Sequence, residues 1–383
     1  MSIFTKKSIR RAIGVLAATA AGITIIAGCA SGSGGDPGGT AQPGGGTAEV
    51  KPLKIALSNY FNGNIWRKQM EQSFLDTAKE NPKYVDPNYK IVNATDGSAP
   101  TQAQQIQSLV LEGYDAIVID AASPTGLNGA IQTACDAGVT VVVFDSLATA
   151  DCAYKVAFDY VQYGIDETEF LAKQLGEKGN VLMVRGIAGN TVDDDIYKGV
   201  TETLKKYPDM HLVGEVYGQW TESVAQQEVA KIIPSLPKVD GVLTNGNDGG
   251  GTLDAFLQAK YSPLPLIIQG NSGQGLQGWQ KVLKTDPDYK TMSVSTQPSI
   301  SSAALWLAVM AKNGMDDATK VPDKTIYAPL LEIPEKNLDA WASYLGYTDI
   351  AMNPISLDDT RSYVKAALDK KPILVDSPLP PSK

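Results

Sequence analysis

Side chains suited to binding a polyhydroxyl compound follow successive aliphatic runs in this sequence. Trp66 follows the run at 53–58, Asp145 directly follows the run at 139–144, and Asn247 follows the run at 241–244. Carboxylates and amides form hydrogen bonds with hydroxyl groups, and indole rings pack against C–H faces. The pattern therefore favours a binding site for a small polar ligand such as a sugar or polyol. The candidate positions after the runs are Asn64, Trp66, Asp145, Asp194, Trp220, Asn247 and Asn271.

The acidic triplet at 193–195 leaves two interpretations open. The N-terminus of a helix favours acidic residues whatever the function, so Asp193 and Asp195 are expected to cap a helix or face solvent. Asp194 either contacts the ligand or, like Asp193 and Asp195, caps the helix or faces solvent. Asn245 and Asn247 could also shape a glycine-rich turn.

An enzyme is the rival class of protein. The chain has one histidine, His211, and contains no Gly-x-Ser-x-Gly motif. The three glycines at 249–251 are not followed by the Lys-Ser/Thr of a phosphate-binding loop. We therefore predict no catalysis, no cofactor and no metal site. A hydrolase that uses Asp145 and Asp194 as a carboxylate pair remains the enzymatic alternative. The net charge of -9 argues against nucleic-acid binding.

Short aliphatic runs alternate with amphipathic segments, which is typical of parallel strands covered by helices on both faces. The predicted strands are 53–58, 116–120, 139–145, 181–185, 241–244 and 264–269. The predicted helices are 66–80, 103–112, 127–137, 166–177, 197–207, 223–233 and 253–260. This order predicts a doubly wound α/β architecture, and its length predicts two lobes. Ligands of such sheets bind beyond the carboxyl ends of the strands, where the candidate residues lie.

The N-terminal segment predicts export and lipid attachment. Four basic residues between positions 6 and 11 precede an uncharged run at 12–27, and the sequence Ile-Ala-Gly-Cys ends at Cys29. We predict a signal peptide at 1–28, a lipid on Cys29 and a flexible linker at 29–50, which is dominated by glycine. Two acyl chains would hold the protein on the extracytoplasmic face of the cell membrane. An ordinary signal peptide with an incidental cysteine is the alternative.

Two further cysteines, Cys135 and Cys152, form an even pair in a chain predicted to be exported. Such a pair favours a disulfide, with two separately buried thiols as the alternative.

The ordered set of motifs at 116–120, 137–139, 144–145, 186–189 and 242–248 resembles the ribose- and galactose-type solute-binding proteins of ABC importers. The resemblance implies the periplasmic-binding protein type I fold, with two Rossmann-like lobes joined by a three-stranded hinge. Lobe one would comprise 51–158 plus 298–326, and lobe two 159–297 plus 327–333. Residues 334–383 would form a C-terminal extension with two extra helices packed on the body.

The resemblance also assigns roles to individual residues. It implies stacking on Trp66 and Trp220, hydrogen bonding by Asn64, Asp145 and Asn247, and a glutamine of the hinge at Gln297. Asn271 occupies a position where relatives often have aspartate. Ribose-binding relatives commonly carry arginines at the positions of Ser146 and Asp194, so an amino-substituted or cation-assisted ligand stays open.

The implied partners are a sugar or polyol and an ABC permease in the membrane, and the protein is expected to be a monomer. A tethered sensor that docks on a signalling receptor would use the same binding residues, and the sequence does not separate it from a transport protein.

Overall fold

The computed structural model describes residues 50–373 and 377–381. The predicted signal peptide, Cys29 and the linker up to residue 49 lie outside the described residues. No helix in the described part is long and apolar enough to cross a lipid bilayer.

The first lobe is built on a six-stranded sheet in which every neighbouring pair is parallel. Its strands are β1 (Ile55–Asn59), β2 (Lys90–Asn93), β3 (Ala116–Asp120), β4 (Thr140–Phe144), β5 (Tyr154–Ala157) and β11 (Thr325–Tyr327), in the order β11-β5-β4-β3-β1-β2. Its helices are α1 (Ile65–Glu80), α2 (Ala99–Leu111), α3 (Asn128–Asp136), α9 (Ile300–Lys312) and α11 (Leu357–Leu368). Every residue of β1 and β3 is buried because helices cover both faces of the sheet.

The second lobe contains a four-stranded parallel sheet. Its strands are β6 (Lys178–Arg185), β7 (Asp209–Tyr217), β8 (Gly241–Thr244) and β9 (Leu266–Ile267), in the order β7-β6-β8-β9. The helices are α4 (Tyr160–Leu175), α5 (Thr191–Leu204), α6 (Glu222–Ile232), α7 (Gly249–Gln258), α8 (Gly273–Thr285) and α10 (Glu335–Tyr344). The two sheets confirm the predicted α/β class with two lobes.

Four passages of the chain connect the lobes, and the last of them runs from α10 to α11. The chain runs from β5 into α4, and later from β10 (Val294–Ser295) into α9. After β11 it forms β12 (Leu331–Glu332), which pairs with β10 in an antiparallel two-stranded sheet. The lobe boundaries given above stay a prediction.

The predicted helices α4 and α5 began too late, at 166 and 197. The structure begins them at Tyr160 and Thr191, where the caps Asp159 and Asn190 each accept a hydrogen bond from a backbone N–H of the first turn. The first turn of α5 is rich in polar residues, so apolar periodicity did not reveal its start. The first turn of α4 contains the buried Tyr160 and Tyr163, so the missed start of α4 is not explained by polarity.

A disulfide joins Cys135 and Cys152, whose Cα atoms are 6.3 Å apart. It connects α3 to the loop before β5 and confirms the predicted pair.

Candidate ligand-binding cleft

A cleft of about 510 Å³, measured with its open mouth included, lies at the carboxyl ends of both sheets. The residues that line the cleft are Asn64, Ile65, Trp66, Arg67, Asp145, Tyr160, Val192, Trp220, Asn245, Asn247, Thr296 and Ile350. The structure therefore brings together five of the predicted ligand residues, namely Asn64, Trp66, Asp145, Trp220 and Asn247.

The start of α1 forms one wall of the cleft. Asn64 caps the helix, and its side chain accepts a hydrogen bond of 2.9 Å from the backbone N–H of Arg67. This cap fixes the first turn, so Trp66 and Arg67 both line the cleft. The Asn64 side-chain amide group, which the cap does not use, remains able to donate to a ligand.

Arg67 provides a buried positive charge that sequence reasoning missed. Its guanidinium forms ion pairs with Asp120 and, at 3.3 Å, with Asp145. The Arg67 side chain is 5% exposed. A cation in the first turn of a helix is unfavourable because it lies near the positive end of the helix dipole. An arginine at that position, next to a candidate ligand residue, is therefore a signal in the sequence that nearby carboxylates compensate its charge.

Asp145 sits directly after β4 in a left-handed backbone conformation, with φ of 57°. One carboxylate oxygen accepts a hydrogen bond from the Tyr160 hydroxyl at 2.5 Å, and the other faces Arg67. Burial, together with the Asp145 charge, raises the pKa of Tyr160 well above its ordinary value. Tyr160 therefore stays a neutral donor and holds Asp145 in place, while further lone pairs of the carboxylate remain for a ligand.

Trp220 forms the opposite side of the cleft, on the second lobe. Its ring packs so closely on Gly186 that a Cβ atom at that position would lie 2.3 Å from the indole ring. The indole N–H donates to the backbone carbonyl of Asn245 at 3.1 Å. The ring is therefore fixed before any ligand binds, with a face available for stacking.

The two asparagines after β8 are anchored by their neighbours. Asn245 donates from its side chain to Asp193 at 2.6 Å, and Asp193 is paired with Arg185 at 2.6 Å. Burial raises the pKa of Asp193, and its hydrogen bond with Arg185 opposes that shift. The side-chain oxygen of Asn247 accepts from the backbone N–H of Asn271 at 3.1 Å. The Asn247 side chain therefore has its amide group free to donate.

Two buried polar atoms of cleft residues have no protein partner within residues 50–373 and 377–381. These are the indole nitrogen of Trp66, a donor, and the side-chain oxygen of Asn245, an acceptor. Buried polar atoms without partners are costly to the folded protein.

The lobes touch at one side of the cleft. The Asn190 side chain donates to the Tyr60 hydroxyl at 3.0 Å and to the Ser146 hydroxyl at 3.3 Å. Hydrogen bonds between neutral groups such as these contribute little individually to stability.

Three predicted ligand residues do not line the cleft. Asp194 has a side chain that is 63% exposed and lies 3.6 Å from Arg185. Asn271 donates to the carbonyl of Leu331 at 2.6 Å and accepts from the Ser293 hydroxyl at 2.8 Å. Both groups of Asn271 are thus used within the protein, and the residue supports the hinge region.

Gln297 is used in the same way. It donates to the carbonyl of Pro329 at 3.3 Å and accepts from the backbone N–H of Asn353 at 3.0 Å. The carboxylate pair of the enzymatic alternative is not assembled either, since Asp145 lines the cleft and Asp194 does not. Among the described residues, no group of three or more His, Cys, Asp and Glu residues could hold a metal ion.

The family described as periplasmic binding protein domain matches residues 55–316, and the chain belongs to this family. A solved ABC transporter solute binding protein from Thermobispora bispora is similar over 86% of this chain and 99% of its own, with 36% identity and a TM-score of 0.75. These findings confirm the resemblance to ABC-importer binding proteins and the type I fold.

Two curated relatives are also similar. A xylitol-binding protein from Mycolicibacterium smegmatis is 30% identical over 46% of this chain, and the matched stretch spans about half of that relative, 51%. The D-xylose-binding periplasmic protein of Escherichia coli is 25% identical over 70% of this chain and 78% of its own length. The relatives are described as binding proteins, which agrees with the prediction of a binding protein rather than an enzyme.

Proposed function

We propose that this protein captures a neutral polyol or monosaccharide in the cleft between its lobes and presents it to an ABC permease. In this proposal, Cys29 carries the lipid that holds the protein on the extracytoplasmic face of the membrane. Lobe closure on the ligand would create the form that the permease recognises.

The observation that carries the ligand class is the set of hydrogen-bonding groups that the cleft side chains leave unused. Asp145 keeps carboxylate lone pairs, and Asn64 and Asn247 keep their side-chain amide groups. Hydroxyl groups on one carbon chain can donate to the carboxylate and accept from the amides, while the C–H faces of that chain stack on Trp66 and Trp220. The names of the xylitol- and D-xylose-binding relatives support a five-carbon ligand.

The charges of the cleft support a neutral ligand. Arg67 is paired with Asp120 and Asp145 within the wall. A ligand carboxylate or phosphate would have to compete with these carboxylates for Arg67, and a ligand ammonium would have to compete with Arg67 for them. Hydroxyl groups can add hydrogen bonds to Asp145 without breaking an ion pair.

In the proposed complex, Asp145 accepts from ligand hydroxyls, and Asn64 and Asn247 donate to them. Asn271 and Gln297 act as positioning residues through the backbone groups that they hold. Asp194 remains outside the binding set.

A thermal-shift panel followed by calorimetry tests the ligand class. The panel contains xylitol, D-arabinitol, D-sorbitol, D-xylose, D-glucose, myo-inositol, D-glucosamine and several amino acids. A ligand at a hundredfold excess over Kd stabilises the folded protein by ~2.7 kcal/mol, so a neutral polyol or sugar should raise Tm clearly. If only amino acids or D-glucosamine raise Tm, the proposed ligand class is wrong.

The anchor and the delivery step need cellular tests. Metabolic labelling with a fatty acid should mark the parent protein and leave Cys29→Ser unlabelled and released from the membrane. Uptake of radiolabelled ligand should depend on both the binding protein and a permease. If uptake persists without the binding protein while a transcriptional response to the ligand is lost, the protein is a sensor instead.

A further inference from the structure

The C-terminal extension contributes a residue to the cleft. The family match ends at residue 316, yet the cleft wall includes Ile350. Helix α10 packs on α8 in the second lobe, and α11 packs on α9 and β11 in the first. We call residues 345–356, which connect the two helices, the crossing segment.

Backbone hydrogen bonds attach the crossing segment to the second lobe. Ile350 forms an antiparallel bridge with Ser272. The N–H of Gly273 donates to the carbonyl of Asp349, and the N–H of Ala351 donates to the carbonyl of Asn271, both at 2.8 Å. The segment can approach this closely because residue 273 is glycine, since a Cβ atom there would lie 2.0 Å from the carbonyl oxygen of Gly346.

One side chain of the first lobe holds the same residue. The Gln69 side-chain amide donates to the carbonyl of Ile350 at 2.9 Å and accepts from its N–H at 2.8 Å. Gln69 lies on α1, three residues after Trp66. The backbone of Ile350 is therefore fixed from both lobes. On the first-lobe side it is held by α1, the helix that also carries Trp66 and Arg67.

This fixation leaves the aliphatic side chain of Ile350 as part of the cleft wall. Ile350 is 2% exposed and lines the cleft together with Trp66, Asp145 and Trp220. Ile65 and Val192 also present aliphatic side chains to the cleft, and Ile350 is the aliphatic lining residue that comes from the crossing segment. An isoleucine side chain offers no hydrogen-bonding group. A hydroxyl group placed against it would lose its water partners without gaining a protein partner.

We propose that Ile350 is a ligand-contacting residue that limits the length of the bound ligand, and that Gln69 is the residue that positions it. The inference rests on the proposed function, because it assigns the end of the polyol or sugar chain to this wall. The extension thereby completes the binding site and adds a selectivity element beyond the matched family domain.

The test compares ligands that differ by one hydroxymethylene group. Calorimetry measures Kd for xylitol and D-sorbitol, and for D-xylose and D-glucose, with the parent, Ile350→Ala and Ile355→Ala. Ile355 is the matched control, since it lies in the same segment, is 5% exposed and does not line the cleft. We expect Ile350→Ala to shift the affinity ratio toward the longer ligand by roughly tenfold or more, and Ile355→Ala to keep the parent ratio.

Gln69 is tested by the same ratio. Gln69→Leu removes both hydrogen bonds to Ile350 and should shift the ratio in the same direction as Ile350→Ala. Gln69→Glu keeps an acceptor for the Ile350 N–H, so its affinity ratio should lie between the ratios of Gln69→Leu and the parent. A purely structural role for Gln69 would lower both affinities equally and leave the ratio unchanged.

The outcomes separate the two proposals. A parent protein that binds no polyol or sugar refutes the proposed function. A parent that binds, with a ratio that Ile350→Ala leaves unchanged or that Ile355→Ala shifts equally, overturns the role of Ile350. Should Ile350→Ala fail to fold, Ile350→Val removes a single methylene group and reports on the same ratio.

Discussion

Replacing Asp145 with asparagine tests the centre of the proposed site. The change preserves the size of the side chain while removing its charge and replacing one acceptor oxygen with a donor. A hydrogen bond to a charged group contributes about 1.5–3 kcal/mol, so affinity for the best ligand of the panel should fall roughly tenfold to 150-fold. The fold should survive because Arg67 keeps its ion pair with Asp120. Calorimetry gives Kd, and urea denaturation gives the free energy of unfolding.

Asp120→Asn is the matched control for Asp145→Asn. Asp120 is fully buried and also pairs with Arg67, but it does not line the cleft. Both variants should lose a similar ~1–3 kcal/mol of folding stability as a charge-assisted contact with Arg67 becomes neutral. Only Asp145→Asn should lose most of its affinity. If Asp120→Asn weakens binding as much, the carboxylates act through the position of Arg67, and direct contact between Asp145 and the ligand is refuted.

Three further predictions concern other parts of the molecule. Trp220→Ala should weaken binding by roughly tenfold, and by the same factor for the ligand and for its deoxy analogues, because a stacking face does not distinguish individual hydroxyls. Calorimetry measures these factors, and a factor that differs between the ligand and a deoxy analogue would contradict the prediction. Replacing Cys135 and Cys152 together with serine should lower the free energy of unfolding by ~3 kcal/mol, measured in urea, because the disulfide closes a loop with a separation of 17 residues. Burial raises the pKa of Glu222 from 4.5 to about 7. Between these values the unfolded chain ionises Glu222 while the folded protein keeps it protonated, so this group makes stability fall as pH rises through that window. The free energy of unfolding of the parent minus that of Glu222→Gln should fall as pH rises through this window. A difference that does not change with pH would refute the prediction.

The sequence was sufficient to predict the lobes and much of the cleft for one physical reason. Buried parallel strands are continuous aliphatic runs, and the chain leaves each strand at the edge of the sheet where ligands bind. Trp66, Asp145 and Asn247 follow such runs and do line the cleft. Trp220 lines it too, but it follows β7, a partly exposed strand that the aliphatic runs did not predict. The same reasoning placed Asn271 there, but its position after a strand does not show that Leu331 and Ser293 use both of its polar groups.

The missed residues depend on contacts between distant parts of the chain. Arg67 belongs to the cleft wall through its ion pairs with Asp120 and Asp145, which lie at the ends of two other strands. Ile350 reaches the cleft from an irregular segment, and its partner Gln69 is 281 positions away. Neither strand periodicity nor helix periodicity extends across such a separation, so a sequence pattern could not have placed Ile350 beside Trp66.

Helix α9 constrains the order in which the nascent chain can fold. Twelve consecutive residues, from Ile300 to Ala311, are buried in it, and it packs against β3, β4, β5 and α1. The strands made first therefore keep one aliphatic face only partly covered, by α1, until residue 311 has emerged. The second lobe from α4 to α8 is continuous in the chain and lacks only α10, which packs on α8. We expect the second lobe to fold early and the first lobe late, so the incomplete first sheet is the species most exposed to aggregation before synthesis and transit are finished.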